Sequence, residues 1–170
     1  MPEVVVITDT SCLIALTKIN ALGLLRQLYH RVVITEDICI EFGEPLPDWI
    51  EIKAVTNKKY QQLIERILDK GESSAIALSM ELGDVLLIID DLKARKEAKR
   101  LGLKITGTLG LLFAAKQKGF IPVLKPYFDK LQSFDFRISP LIVRELLILS
   151  NEINESRPLP PPKEGDSPFD

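Results

Sequence analysis

The sequence predicts an α/β fold: three layers, α/β/α, around a central parallel sheet of short strands. Three observations carry this. Val4–Ile7, Val32–Ile34 and Val85–Ile89 are short aliphatic runs of the kind found in strands buried on both faces. Segments with helical spacing separate them. No internal repeat interrupts the alternation, and strand–helix–strand order implies a parallel sheet covered by helices.

The elements follow in order. Val4–Ile7 is the first strand, and Ser11–Thr17 and Ala21–Tyr29 show helical spacing. Val32–Ile34 is the second strand. Thr35 is placed to cap a short helix through Phe42, with Glu36 and Asp37 in its first turn. Residues 43–56 hold two prolines and Trp49, with an edge strand at Ile50–Val55. Lys58–Asp69 is amphipathic, with Leu63, Ile64, Ile67 and Leu68 on one side. Gly71 reads as a break, after which Glu72–Leu82 forms a helix of small residues. Val85–Ile89 is the next central strand, Leu92–Leu101 a helix and Lys104–Thr106 a further strand. Leu109–Lys118, Pro126–Gln132 and Pro140–Glu152 complete the helices.

At 170 residues the chain is one domain with a tail. The tail is 150–170, with five of the 11 prolines and five acids against two bases. Such a segment buries too little apolar surface to offset its ordering entropy, so disorder is expected there. Leu159-Pro-Pro-Pro162 would also suit a polyproline helix offered to a partner groove. The remaining 1–149 is slightly basic, while the whole chain is at −2. No strong overall field draws in a polyanion, so any such partner must meet a local basic patch. The apolar runs are far short of the roughly 20 residues of a membrane span. The start, Met-Pro-Glu-Val, carries an acid where a signal peptide carries positive charge, so a cytoplasmic protein with no membrane partner is expected. Two cysteines, Cys12 and Cys39, exclude disulfide scaffolds and zinc ribbons, and both read as core. The single histidine, His30, excludes mechanisms that need two and reads as exposed or capping.

Open parallel sheets bind ligands beyond the carboxyl ends of their strands. Asp9-Thr10-Ser11, Asp90-Asp91 and Thr106-Gly107-Thr108 fall at such ends. Glu72 opens a helix, and Glu41 lies near the end of the helix after the second strand. Acids sharing one pocket raise each other's pKa, and a divalent cation resolves that conflict. Oxygen-only ligands suit Mg²⁺ or Mn²⁺, which activate water and stabilise a leaving oxygen in phosphodiester hydrolysis. Each acid also has a plainer reading as a helix cap or a solvated residue.

Five segments, in order, carry a resemblance: Val6–Ile14, Ile34–Glu41, Gly71–Ala77, Leu87–Arg95 and Ile105–Gly110. Together they resemble the PIN domain over roughly residues 3–148. That family comprises metal-dependent ribonucleases and includes the VapC-like toxins of type II toxin–antitoxin pairs. The likeness is closest to a subfamily described as PIN-like or nucleic-acid-binding. It implies a PIN-like fold, endoribonuclease activity, Mg²⁺ or Mn²⁺ as cofactor, RNA as substrate, a small antitoxin protein as partner, and a homodimer. It implies catalytic roles for Asp9, Glu41, Glu72 and Asp91, with Asp9, Asp91, Asp90 and Glu72 as metal ligands. Between the paired acids, Asp91 is favoured as ligand and Asp90 as its helper. Ser11 and Thr108 match supporting hydroxyl residues. Many relatives carry Asp where Glu72 stands. The rival reading is a PIN-like module that binds nucleic acid or protein without cleaving.

Bases gather between Lys93 and Lys104: Lys93, Arg95, Lys96, Lys99, Arg100 and Lys104, against Glu97 alone. They supply phosphate contacts that position a chain without reading its sequence. Arg95, four positions past Asp91 on one helix face, is the base expected nearest the acids. For a homodimer, Leu13, Leu16, Leu24 and Leu25 are expected to form an exposed apolar patch. Other classes fall away. A receiver domain needs paired acids after its first strand, a haloacid-dehalogenase phosphatase needs Asp-x-Asp, and no nucleotide-binding glycine loop occurs.

Overall fold

The aliphatic runs do form the sheet. The computed structural model describes residues 4–154, so the proline-rich stretch from 155 onward lies outside the described residues. β1 (Val5–Thr8), β2 (Arg31–Thr35), β3 (Ile50–Lys53), β4 (Leu86–Ile88) and β5 (Lys104–Thr106) form one five-stranded sheet, in the order β3-β2-β1-β4-β5. Every pairing is parallel. Val6 stands opposite Val32 on one side and Leu86 on the other, and Thr8 opposite Ile88. Ile7, Val33, Ile34, Leu87, Ile88 and Ile89 have no accessible surface. Burial of each such side chain stabilises the fold by roughly 1.5–3 kcal/mol, which is why these strands carry almost no polar residues.

The helices, in chain order, are α1 (Thr10–Lys18), α2 (Gly23–Leu28), α3 (Glu36–Phe42), α4 (Lys58–Ile64), α5 (Lys70–Leu82), α6 (Leu92–Arg100), α7 (Thr108–Gln117), α8 (Lys125–Ser133) and α9 (Pro140–Leu149). The chain divides into two compact units, Met1–Gly110 and Leu111–Asp170, and the whole sheet belongs to the first. In the second, Glu152 accepts hydrogen bonds from Leu124 N, Lys125 N and Lys116 Nζ, the last at 2.9 Å. Among the described residues no helix is long and apolar enough to cross a membrane.

Strand order fixes where a ligand belongs. The chain leaves β1 for β2 and β3 on one side, then crosses back to β4 and β5 on the other. The switch point therefore lies between the carboxyl ends of β1 and β4. α5 lies close to its neighbours because Ser73, Ser74, Ala75, Ala77 and Ser79 are small and buried. Ser74 Oγ and Thr35 Oγ1, 2.6 Å apart, tie α5 to the end of β2.

Four expectations are corrected. Leu13, Leu16, Leu24 and Leu25 are core residues, none more than 6% exposed, so they cannot form a dimer patch. Helical spacing marks an apolar face but not what that face meets, and here it is the chain's own core. Gly71 does not break a helix. It is the second residue of α5, whose cap is Asp69, accepting from Glu72 N at 2.9 Å. α4 ends at Ile64, leaving Leu63 and Ile67 exposed while Ile64 and Leu68 are buried. Cys12 is buried, but Cys39 is only partly so.

Candidate functional site

β1 ends at Thr8, and the next residue turns the chain into α1. Asp9 is the cap of that helix, with Oδ1 accepting from Cys12 N at 2.8 Å. Its Oδ2 accepts from Asp90 N at 3.0 Å, and its own N–H donates to Ile88 O. Both carboxylate oxygens are thus pinned, one to its own helix and one across the switch point, and the residue is 3% exposed. Burial, first of all, lifts its pKa to about 7; the charges of Asp90 and Glu41 add to this, and the two backbone N–H bonds oppose it.

The acid pair after β4 separates into two environments. Asp90 accepts from Thr108 N at 2.8 Å on Oδ1 and from Thr108 Oγ1 at 2.6 Å on Oδ2. Thr108 is fully buried, so these bonds are made away from water. Burial raises the Asp90 pKa, and the Thr108 bonds and the charge of Arg95 hold it back. Asp91 is exposed and caps α6, accepting from Ala94 N at 2.9 Å. Asp90 is therefore the acid fixed against Asp9, and Asp91 stands one residue further out.

Glu72, in the first turn of α5, is half-buried. Its pKa is pushed up to about 7 by burial, then by the charges of Asp69, Asp91, Asp9 and Glu41. Glu41 is exposed on α3, but its carboxylate lies over the start of α5. A methyl group added at Gly71 would stand 2.6 Å from Glu41 Oε2. Glycine at that position is what lets the carboxylate approach the amino end of the helix, where the dipole favours negative charge.

The remaining residues of interest fall into place around these acids. Ser11 is exposed beside Asp9. Cys12 is buried, and its thiol pKa is raised chiefly by burial, then by the charges of Asp90 and Asp9. Arg95 donates from Nη1 to Ile89 O at 2.9 Å. Lys93, Lys96, Lys99 and Arg100 are exposed on α6, with Arg100 paired to Glu97, while Lys104 pairs with Asp84 at 3.2 Å. Sequence reasoning missed Gly71 and Gly107. Their role is a through-space approach by distant side chains, which no local signal marks.

The donor chemistry fits a hard divalent cation. Every candidate ligand is a carboxylate, and the acids raise one another's pKa in a way that a cation would reverse. Thr10 Oγ1 and Ser73 Oγ, on residues adjoining Asp9 and Glu72, are buried and meet no hydrogen-bond partner among the described residues. The acids are nonetheless open in arrangement: among the described residues no three His, Cys, Asp or Glu side chains are grouped closely enough to hold an ion as they stand.

Fold and site together define a parallel α/β domain of nuclease type, with an acidic centre at its topological switch point. A family model described as a PIN domain matches residues 5–152, and the chain belongs to that family. PIN domains are generally nucleases and typically use divalent metals. No match is found among curated proteins.

Proposed function

We propose that the chain is a metal-dependent endoribonuclease that serves as the toxin of a type II toxin–antitoxin pair, with a small protein antitoxin and a homodimeric state. The observation that carries the nuclease reading is the fixing of Asp9 and Asp90 against each other at the ends of β1 and β4. Asp9, Asp90, Asp91 and Glu72 would hold Mg²⁺ or Mn²⁺, and Glu41 would add charge from α3. When bound, the cation supplies an activated water and neutralises charge on the phosphodiester. Asp9 and Asp90 keep their carboxylates in place through backbone and Thr108 bonds, and the other acids would close on the cation around them. The exposed lysines of α6 would hold the RNA backbone, while Ser11 and Thr108 would support the metal site, Thr108 through its two bonds to Asp90.

A second reading draws on the open spacing of the acids: a PIN-like module that binds nucleic acid without cutting it. Cleavage of a panel of labelled RNAs, with and without Mn²⁺, by wild type and Asp9→Asn separates the two. The nuclease reading expects metal-dependent cutting by wild type and its loss in the variant. Equal cutting by both would point to a contaminating nuclease, and none by wild type would favour the binding module.

A further inference from the structure

Arg95 differs from every other base on its helix. Lys93, Lys96 and Lys99 are exposed, whereas Arg95 is partly buried and turned toward the sheet edge. Its Nη1 donates to Ile89 O at 2.9 Å, the carbonyl immediately before Asp90. A methyl group built on Gly107 would lie 3.0 Å from Arg95 Nη1 and 2.9 Å from Asp90 Oδ1. The guanidinium and the carboxylate therefore face each other across bare backbone. Thr108, the next residue, grips the same carboxylate through its N–H and its hydroxyl.

We infer that Arg95 is a positioning residue rather than an RNA contact: by holding the Ile89 carbonyl and facing Asp90 across Gly107, it fixes where the Asp90 carboxylate stands. The inference rests on the nuclease reading and sharpens it, since it makes Asp90 the acid that the fold prepares and gives Gly107 a reason. It also separates Arg95 from the row of lysines. A phosphate contact needs only positive charge, which lysine supplies as well. Holding one carbonyl while facing one carboxylate uses the planar fork of arginine.

That difference sets the experiment. Arg95→Lys keeps the charge and loses the fork. Gly107→Ala keeps both side chains and fills the space between them; its backbone lies outside the left-handed region, so the strain falls not on the chain but on Asp90 Oδ1 and Arg95 Nη1, 2.9 and 3.0 Å from the new methyl, which must move apart. For wild type and both variants, the measurements are Mn²⁺ affinity by calorimetry, RNA affinity across a salt series without metal, and single-turnover cleavage at saturating RNA. Both variants should lose about ten-fold or more in Mn²⁺ affinity and in cleavage, the usual scale for partners that orient metal ligands. RNA affinity and its salt slope should stay within about two-fold of wild type. Wild-type Mn²⁺ affinity and cleavage in Arg95→Lys would overturn the positioning role, as would a loss confined to RNA affinity. Wild type that takes up no Mn²⁺ would overturn the nuclease reading itself, and the inference with it.

Discussion

The carboxylate of Asp9 has two jobs that oppose each other. It is a helix cap, which any good acceptor could be, and it is a buried charge beside another acid. The pKa near 7, against an ordinary 3.8, gives the sign of the linkage. The folded chain holds a proton that the unfolded chain has released between about pH 4 and 7. Stability is therefore fullest below that window and falls as pH rises through it, by on the order of 2–4 kcal/mol. Asp9→Asn removes the charge but offers one acceptor oxygen where Asp9 uses two, so the bond from Asp90 N is lost at a cost of about 1 kcal/mol. The variant should melt higher than metal-free wild type at pH 8 and lower at pH 3.5, below the unfolded pKa, where wild type has lost almost none of this stability. Thermal unfolding at the two pH values checks this, and an equal shift at both would remove the charge argument. The place of Asp9 at the end of β1, as the cap of α1, was legible in the sequence because it closely follows an apolar run and opens a helical one. The different environments of Asp90 and Asp91 were not, because they depend on Thr108, 18 residues away.

Elements were legible where their periods were strong. The apolar strands, the Thr35 cap and the end of the small-residue helix at Leu82 stand where the sequence puts them, since each is specified by local chemistry. What was not legible was through-space. Gly71 looked like a helix break because glycine is a poor helix former, but its cause is Glu41, 30 residues earlier, resting on the first turn of α5. Gly71→Ala should improve helix propensity by up to about 0.5 kcal/mol while displacing the Glu41 carboxylate. Urea unfolding and Mn²⁺ affinity measured together should show stability held or raised and metal affinity lowered. A parallel fall in both would mean that the glycine is structural only. On α6, Lys93→Glu with Lys96→Glu should weaken RNA binding and lower its salt slope by about two while leaving Mn²⁺ affinity near wild type. A slope unchanged in the double variant would place the RNA elsewhere.

For the whole molecule, the leucines of α1 and α2 belong to the chain's own core, so a homodimer must use another surface. Ile40 and Leu92, beside Glu41 and Asp91, are among the exposed apolar residues, at 78% and 66%. The carboxyl-terminal boundary is also testable. Glu152 satisfies Leu124 N, Lys125 N and Lys116, so ending the chain after Leu149 should lower the melting temperature. Ending it after Asn154 keeps those bonds and should leave the melting temperature unchanged; equal loss from both would assign the proline-rich segment a structural role. Equilibrium Mn²⁺ binding to wild type, Asp90→Asn and Asp84→Asn decides whether the acids at the switch point form a divalent-cation site. Asp84 is an exposed acid before β4, at the opposite end of the strand, and serves as the control. Saturable binding by wild type and Asp84→Asn, weakened at least about ten-fold in Asp90→Asn, is the result expected. Binding equal in all three, or absent from wild type, would contradict the account.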